Sequence, residues 1–217
     1  MKIIFVGCSF TWGDELENRE EQRFSRLVCN KLEAEETNVS ECGYSNDLIL
    51  QKFIEAAERS KPDLGIIQWS SISRFQVWID GEWEQIQVQR NPRKGFHNGY
   101  MEWKVFYKYI YSDEMGVESY YKNVYLAEQY CKDKQIPLIM LNMGKTRPKN
   151  NNYISPYKPL CKSKIEIITG GSNKRDGEWG LVQWDDKKCW MERGHPSPEG
   201  HQIIADYLIQ CFDNLPG

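Results

Sequence analysis

Lys2-Ile3-Ile4-Phe5-Val6-Gly7-Cys8-Ser9-Phe10-Thr11-Trp12-Gly13-Asp14 opens the chain, and its reading decides the fold. Five residues from Lys2 to Val6 form a short apolar run with a strand's character. Gly7-Cys8-Ser9 follows at once as a tight turn, and a helix-like segment comes next. Strand, turn and helix in that order place a small hydroxyl residue at the carboxyl end of a strand. Near the other terminus, Glu192-Arg193-Gly194-His195-Pro196 supplies a carboxylate and an imidazole three residues apart. A serine at a strand end, with a distant acid and histidine, has the parts required for acyl transfer.

The rest of the chain repeats the alternation. Glu20 to Ala34 carries Phe24, Leu27, Val28 and Leu32 on one helical face, and Thr37 to Glu41 fits a short strand. Asn46 to Ser60 is helical in pattern, and Leu64 to Trp69 is a buried strand introduced by Pro62-Asp63. Tyr120 to Gln135 reads as a helix and Pro137 to Asn142 as another apolar strand. Ser197 to Phe212 closes the chain, with Ser197 as cap, Pro198 in the first turn and an apolar stripe of Ile204, Tyr207, Leu208 and Cys211. Continuously apolar strands between amphipathic helices imply an α/β protein whose mostly parallel, doubly wound sheet is covered on both faces. In such sheets chemistry gathers at the carboxyl ends of the strands, where Ser9, Gly43 and Ser70 all fall.

Two stretches interrupt the pattern within a single domain spanning residues 1–217. Ser73 to Trp103 is aromatic-rich, with Val77 to Val88 as a hairpin around Asp80-Gly81. Gly144 to Trp190 is long and polar. Inserts of this length in a compact domain serve as lids or mobile segments.

Composition narrows the function. The 217 residues carry a formal net charge of −3, which gives no basic field for nucleic acid. Lys145, Arg147 and Lys149 read as a solvated loop. No run approaches the roughly 20 apolar residues of a membrane span. The opening apolar run is too short for a signal peptide. Seven scattered cysteines without a C-x-x-C pair read as reduced thiols, and a cytoplasmic location is expected. Three histidines, none at ligand spacing from a cysteine, give no metal site, and no cofactor motif is present. A flavodoxin-like phosphate site after the first strand is disfavoured, because Asp14-Glu15 would repel the anion there.

Among the histidines, His195 is the expected general base. His201 falls among apolar neighbours on the closing helix, and His97 has no acid at close spacing. Glu192 is the expected orienting acid, reaching His195 Nδ1 across three residues.

Gly7-Cys8-Ser9-Phe10-Thr11 resembles the first block of the SGNH (GDSL-like) hydrolase family, with Cys8 where that family has Asp. Cys42-Gly43-Tyr44-Ser45-Asn46 is similar to the second block, and Pro62 to Ser71 stands where the third belongs. Glu192-x-x-His195-Pro196 with Gly200-His201 resembles the last block, with Glu for Asp. The resemblance implies a three-layer, flavodoxin-like α/β/α fold and a serine esterase or deacylase. Its substrate would be a small ester, with O-acetyl groups on carbohydrate as one class. It implies Ser9 as nucleophile, with His195 and Glu192 completing the triad, and the amides of Ser9 and Gly43 as oxyanion donors. The third block lacks the family's Asn, so Ser70 or Ser71, or Arg74 reaching in, is the expected substitute donor. Trp12, Trp69 and Arg74 are the candidate substrate contacts. These departures are similar to those of divergent members, phage-encoded ones included. A non-catalytic binding module on the same fold is the alternative.

Overall fold

A computed structural model describes residues 1–79, 81–86, 104–144, 153–168, 181–182 and 186–214. The first strand, β1 (Lys2–Val6), runs into a four-residue helix, α1 (Ser9–Trp12). Next come α2 (Arg19–Gln22), α3 (Phe24–Leu32), β2 (Glu35–Asn38), α4 (Asn46–Ser60) and β3 (Leu64–Trp69). A hairpin of β4 (Phe75–Ile79) and β5 (Glu82–Ile86) precedes the long helix α5 (Asp113–Lys134). The strands β6 (Leu138–Asn142) and β7 (Ile165–Ile167) and the helix α6 (Pro198–Asp213) complete the order.

The main sheet is parallel throughout, in the order β2-β1-β3-β6-β7. The chain winds outward from β1 to β2 and then returns to place β3 on the other side. The switch point therefore lies between β1 and β3, where open α/β sheets bind their ligands. The apolar run of β1 is continuous because both sides are covered. Ile3 and Phe5 pack into the cluster with Phe24, Ile204 and Leu208. Ile4 and Val6 alternate into the opposite cluster with Ile49, Phe53 and Val124. Helices α3 and α6 thus form one outer layer, and α4 and α5 the other.

Local sequence explains where elements start and stop. The helix expected from Glu20 to Ala34 is broken at Arg23, which is extended at φ −66 and ψ 144. That backbone lets the buried Arg23 guanidinium reach Glu20 at 2.8 Å and the buried Glu36 at 3.0 Å. Ser112 caps α5 by accepting from the Met115 amide at 3.2 Å, with Asp113 and Glu114 in the first turn. The helix consequently begins seven residues before the apolar stripe that starts at Tyr120. The second strand is Glu35–Asn38, earlier than the expected Thr37 to Glu41, because Glu35 to Asn38 fall in register with Lys2 to Phe5. The expected hairpin forms between β4 and β5, with Gly81 before β5 at φ 89, while Asp80 lies outside the described residues. The long segment after β6 contributes β7 as the sheet's edge, which no pattern in the sequence announced. Phe96, His97, Tyr100, Lys145, Arg147 and Lys149 lie outside the described residues.

No helix among the described residues is long and apolar enough to cross a membrane. The seven cysteines are all unpaired.

Candidate active site

The turn after β1 is held by a side chain the sequence reading passed over. Gln68 is fully buried on β3. Its Oε1 accepts from the Cys8 amide at 3.2 Å and from Thr11 Oγ1 at 3.0 Å. Gly7 makes this approach feasible, because a Cβ there would lie 2.2 Å from Thr11 Oγ1 and 2.8 Å from Gln68 Oε1. From the other side Asn38 Nδ2 donates to the Thr11 carbonyl at 3.0 Å. Ser9, 5 % exposed, is thereby fixed as the first residue of α1. Its hydroxyl donates to Cys8 Sγ at 3.9 Å.

His195 is carried to this turn by the segment before α6. Its ring meets the ring of Phe10, the residue after Ser9, edge-on at 5.8 Å between centroids. The carboxylate at its Nδ1 is Glu15, at 2.6 Å. Glu15 also accepts from the Arg193 amide at 3.0 Å and from the His195 amide at 3.4 Å. Arg193 Nε lies 3.3 Å from the same carboxylate. Glu15 takes a left-handed φ of 73 to make these contacts, the kind of backbone strain that collects at functional sites. Partial burial raises its pKa, but the bonds from His195 and Arg193 outweigh that and hold it below the ordinary carboxylate value of 4.5. The pair is therefore intact at neutral pH and is lost only as pH falls through the depressed value.

This corrects the assignment of Glu192. The imidazole offers one proton at Nδ1, and Glu15 takes it. Glu192 is exposed, because the chain turns between it and His195: the Gly194 amide donates to the Met191 carbonyl at 3.0 Å, with Gly194 at φ 87. A three-residue spacing brings side chains together on a helix, and this segment is a turn.

The expected bond between Ser9 and His195 is not formed either. His195 Nε2 faces Asp14 Oδ2 at 3.5 Å. Ser9 and Asp14 are nonetheless joined through the backbone, the Asp14 amide donating to the Ser9 carbonyl at 3.0 Å. Hydroxyl and imidazole thus share one end of β1, with Asp14 as competitor for Nε2.

On the other side of Ser9 lies the loop after β3. Ser70 is buried, and Asn46 at the start of α4 clamps its backbone: Asn46 Oδ1 accepts from the Ser70 amide at 2.8 Å. Arg74 Nη1 donates to Ser70 Oγ at 2.7 Å. Burial alone would push the Cys8 thiol up, but the Arg74 guanidinium and the Phe10 amide help to hold it below its usual value. Ser70 is thus beside the nucleophile turn. Ser71 Oγ is shared with Ser73 Oγ at 2.9 Å and stabilises the loop. Partial burial, then the Asp14 carboxylate and Cys8, push the Cys42 thiol up to about 11. Gly43, in the loop between β2 and α4, takes a left-handed φ of 90.

Trp69 is not a substrate contact. It is 0 % exposed, meets Tyr120 edge-on at 6.2 Å and donates from Nε1 to Met140 Sδ at 3.3 Å. Alternate residues of a doubly covered strand point into opposite cores, and Trp69 falls on the α4 and α5 side. Trp12 is half-buried and carries the Arg19 guanidinium 3.8 Å above its ring. His201 is structural: fully buried, it stacks on Phe24 at 5.7 Å and accepts from the Phe24 amide at 3.1 Å.

Solved structures decide the fold. A protein named as lipolytic and of the G-D-S-L family, from Desulfitobacterium hafniense, superposes with a TM-score of 0.56 at 12 % identity, covering 96 % of this chain and 98 % of that one. The chain has the fold of the SGNH (GDSL-like) hydrolases. The psychrotrophic esterase EstA from a Pseudoalteromonas species gives 0.53 at 12 % identity, over 98 % of this chain and 96 % of its own. A carbohydrate esterase, described as having divergent catalytic and non-catalytic binding functions in its active site, gives 0.52 at 13 %, over 100 % of this chain and 69 % of its own. No family model matches the sequence, and no curated protein matches it.

Proposed function

We propose that this chain hydrolyses a small ester, with Ser9 as nucleophile, His195 as general base and Glu15 as the orienting carboxylate. The observation that carries this reading is the Glu15–His195 pair at 2.6 Å, packed on Phe10 beside Ser9. For reaction, His195 Nε2 exchanges Asp14 for Ser9. Ser9 Oγ then attacks the ester carbonyl carbon while its proton passes to Nε2. Collapse of the tetrahedral oxyanion breaks the carbon–oxygen bond, and the departing alkoxide takes the proton from Nε2. Water, deprotonated by Nε2, attacks the acyl-serine and returns free Ser9 and the acid. The amides of Ser9 and Gly43 and the hydroxyl of Ser70 are the proposed oxyanion donors. Acetyl esters of carbohydrate remain one candidate class, supported by the carbohydrate esterase among the structural neighbours. The unpaired cysteines support a reducing compartment such as the cytoplasm.

The contact between Nε2 and Asp14 favours a second reading, a binding module in which Ser9 never engages the imidazole. Turnover of p-nitrophenyl acetate separates the two. Hydrolysis is expected for the wild type and lost in Ser9→Ala and His195→Ala; equal background rates in all three proteins would favour the binding module.

A further inference from the structure

The half of the site built from the loop after β3 holds hydrogen-bond donors for which the described residues supply few acceptors. Arg74 is partly buried, and its one described hydrogen bond goes to a neutral hydroxyl, Ser70 Oγ, at 2.7 Å. Among the described residues no carboxylate pairs with it. A guanidinium carries five N–H donors in a planar fork suited to two-point contact with an oxyanion group. Leaving it half-buried without a counter-ion is costly unless something else supplies one.

A second donor lies on the same hydrogen-bond chain. Gln85, on the hairpin strand β5, accepts through Oε1 from the Ser45 amide at 2.9 Å. Its Nε2 is buried and has no partner. Ser45 caps α4, the next residue Asn46 holds the Ser70 amide at 2.8 Å, and Ser70 Oγ receives Arg74. Gln85 and Arg74 thus belong to one group of contacts, joined through the adjacent residues Ser45 and Asn46 and through the amide and hydroxyl of Ser70. Tyr107 hydroxyl anchors the Ser73 carbonyl, which fixes the loop carrying Arg74. Unspent donors without an acceptor among them describe a receptor for negative charge.

The opposite half of the site is acidic, with Asp14 and Glu15 around His195 and Glu41 on the second-block loop. Arg193 is committed there to Asp14 and Glu15. An anionic substituent is repelled from the histidine side and drawn to Arg74, so the charge distribution orients the substrate as well as selecting it.

Resting on the ester-hydrolase reading, we infer that the preferred substrate is an ester whose acyl part carries an oxyanion group, bound by Arg74 with Gln85 while Ser9 attacks the neighbouring carbonyl. Carboxylate and phosphate share the required chemistry.

The test compares p-nitrophenyl hemisuccinate with its neutral counterpart p-nitrophenyl butyrate. The wild type is expected to have the higher kcat/KM on the hemisuccinate. Arg74→Gln is expected to lower that value roughly 10- to 100-fold, chiefly through KM, and to lower butyrate turnover by less, so that the hemisuccinate-to-butyrate ratio of kcat/KM falls about tenfold or more. Arg74→Lys restores part of the preference, and Gln85→Leu weakens it less than Arg74→Gln does. Equal losses on both esters, or a wild-type preference for butyrate, overturn the inference. If neither ester is cleaved, the hydrolase reading fails on its own, and calorimetry with monomethyl succinate and with methyl phosphate decides the anion site. Binding to the wild type and to Ser9→Ala, lost in Arg74→Gln, supports it and shows which anion is preferred. Absence of binding to the wild type, or binding that Arg74→Gln retains, refutes it. Thermal melts confirm that each variant is folded.

Discussion

The two halves of this site are built on opposite plans. Around His195 every charge has a partner: Glu15 holds Nδ1 at 2.6 Å, Asp14 faces Nε2 at 3.5 Å, and Arg193 spans both acids. Around Ser70 the donors outnumber the acceptors, with Arg74 spending one contact on a hydroxyl and Gln85 Nε2 none. A saturated network fixes the position of a group that must act, while unspent donors leave a place for a group that must arrive. The candidate nucleophile stands between them, its neighbour Phe10 touching the histidine side and its neighbour Cys8 lying in the field of Arg74.

Removing either reacting group should erase activity whichever substrate is offered. Ser9→Ala and His195→Ala are expected to lower kcat by on the order of 10³-fold or more, measured on both the charged and the neutral ester. A variant that lost only one substrate would shift the chemistry out of the shared centre. The Arg74 variants are expected to have smaller effects, larger on the charged ester than on the neutral one.

The other imidazole of the last block tests how much of the histidine side is scaffold. Burial lowers the His201 pKa from 6.5 to about 3. Below pH 6.5 the unfolded chain therefore binds a proton that the folded chain refuses, so stability rises with pH between those values. The slope is about 1.4 kcal/mol per pH unit from this group. Urea unfolding at pH 7 and pH 5 should show that loss in the wild type and a correspondingly shallower one in His201→Asn, whose amide oxygen can still accept from the Phe24 amide. Equal slopes would mean His201 is protonated in the fold.

Asp14 should give the smallest effect and the one that most sharpens the contrast. A contact of this exposure contributes no more than about 1 kcal/mol, so Asp14→Asn is expected to free Nε2 for Ser9 and raise kcat/KM by up to about fivefold. A fall would make Asp14 part of the working arrangement instead of its competitor.

Much of the fold was legible because each strand declares its burial. The mostly apolar runs at Lys2 to Val6 and Leu64 to Trp69 follow from coverage on both faces, and Ser197 marked the start of α6. The β7 strand was not legible, since three residues at a sheet edge carry no period. Ser9 and His195 were found as motif residues, whereas Glu15 was read only as a deterrent to phosphate and not as the partner of His195. Its partner lies 180 positions away, and no spacing rule reaches that far. Gln68 did leave a signal, a lone amide in an otherwise apolar buried strand, because a buried polar group has to be satisfied by something. Trp69 was mistaken for a ligand contact because a tryptophan at a strand end looks the same in sequence whether it faces a pocket or a core.

The account depends most on Glu15 acting on Ser9 through His195. Labelling of Ser9 by a fluorophosphonate, followed as a rate in the wild type, Glu15→Gln and Glu192→Gln, measures that link without presuming a substrate. Glu15→Gln is expected to slow labelling by on the order of 10²-fold, and Glu192→Gln to leave it within about twofold of the wild type. An unlabelled wild-type Ser9, or a loss that follows Glu192 in place of Glu15, would contradict it.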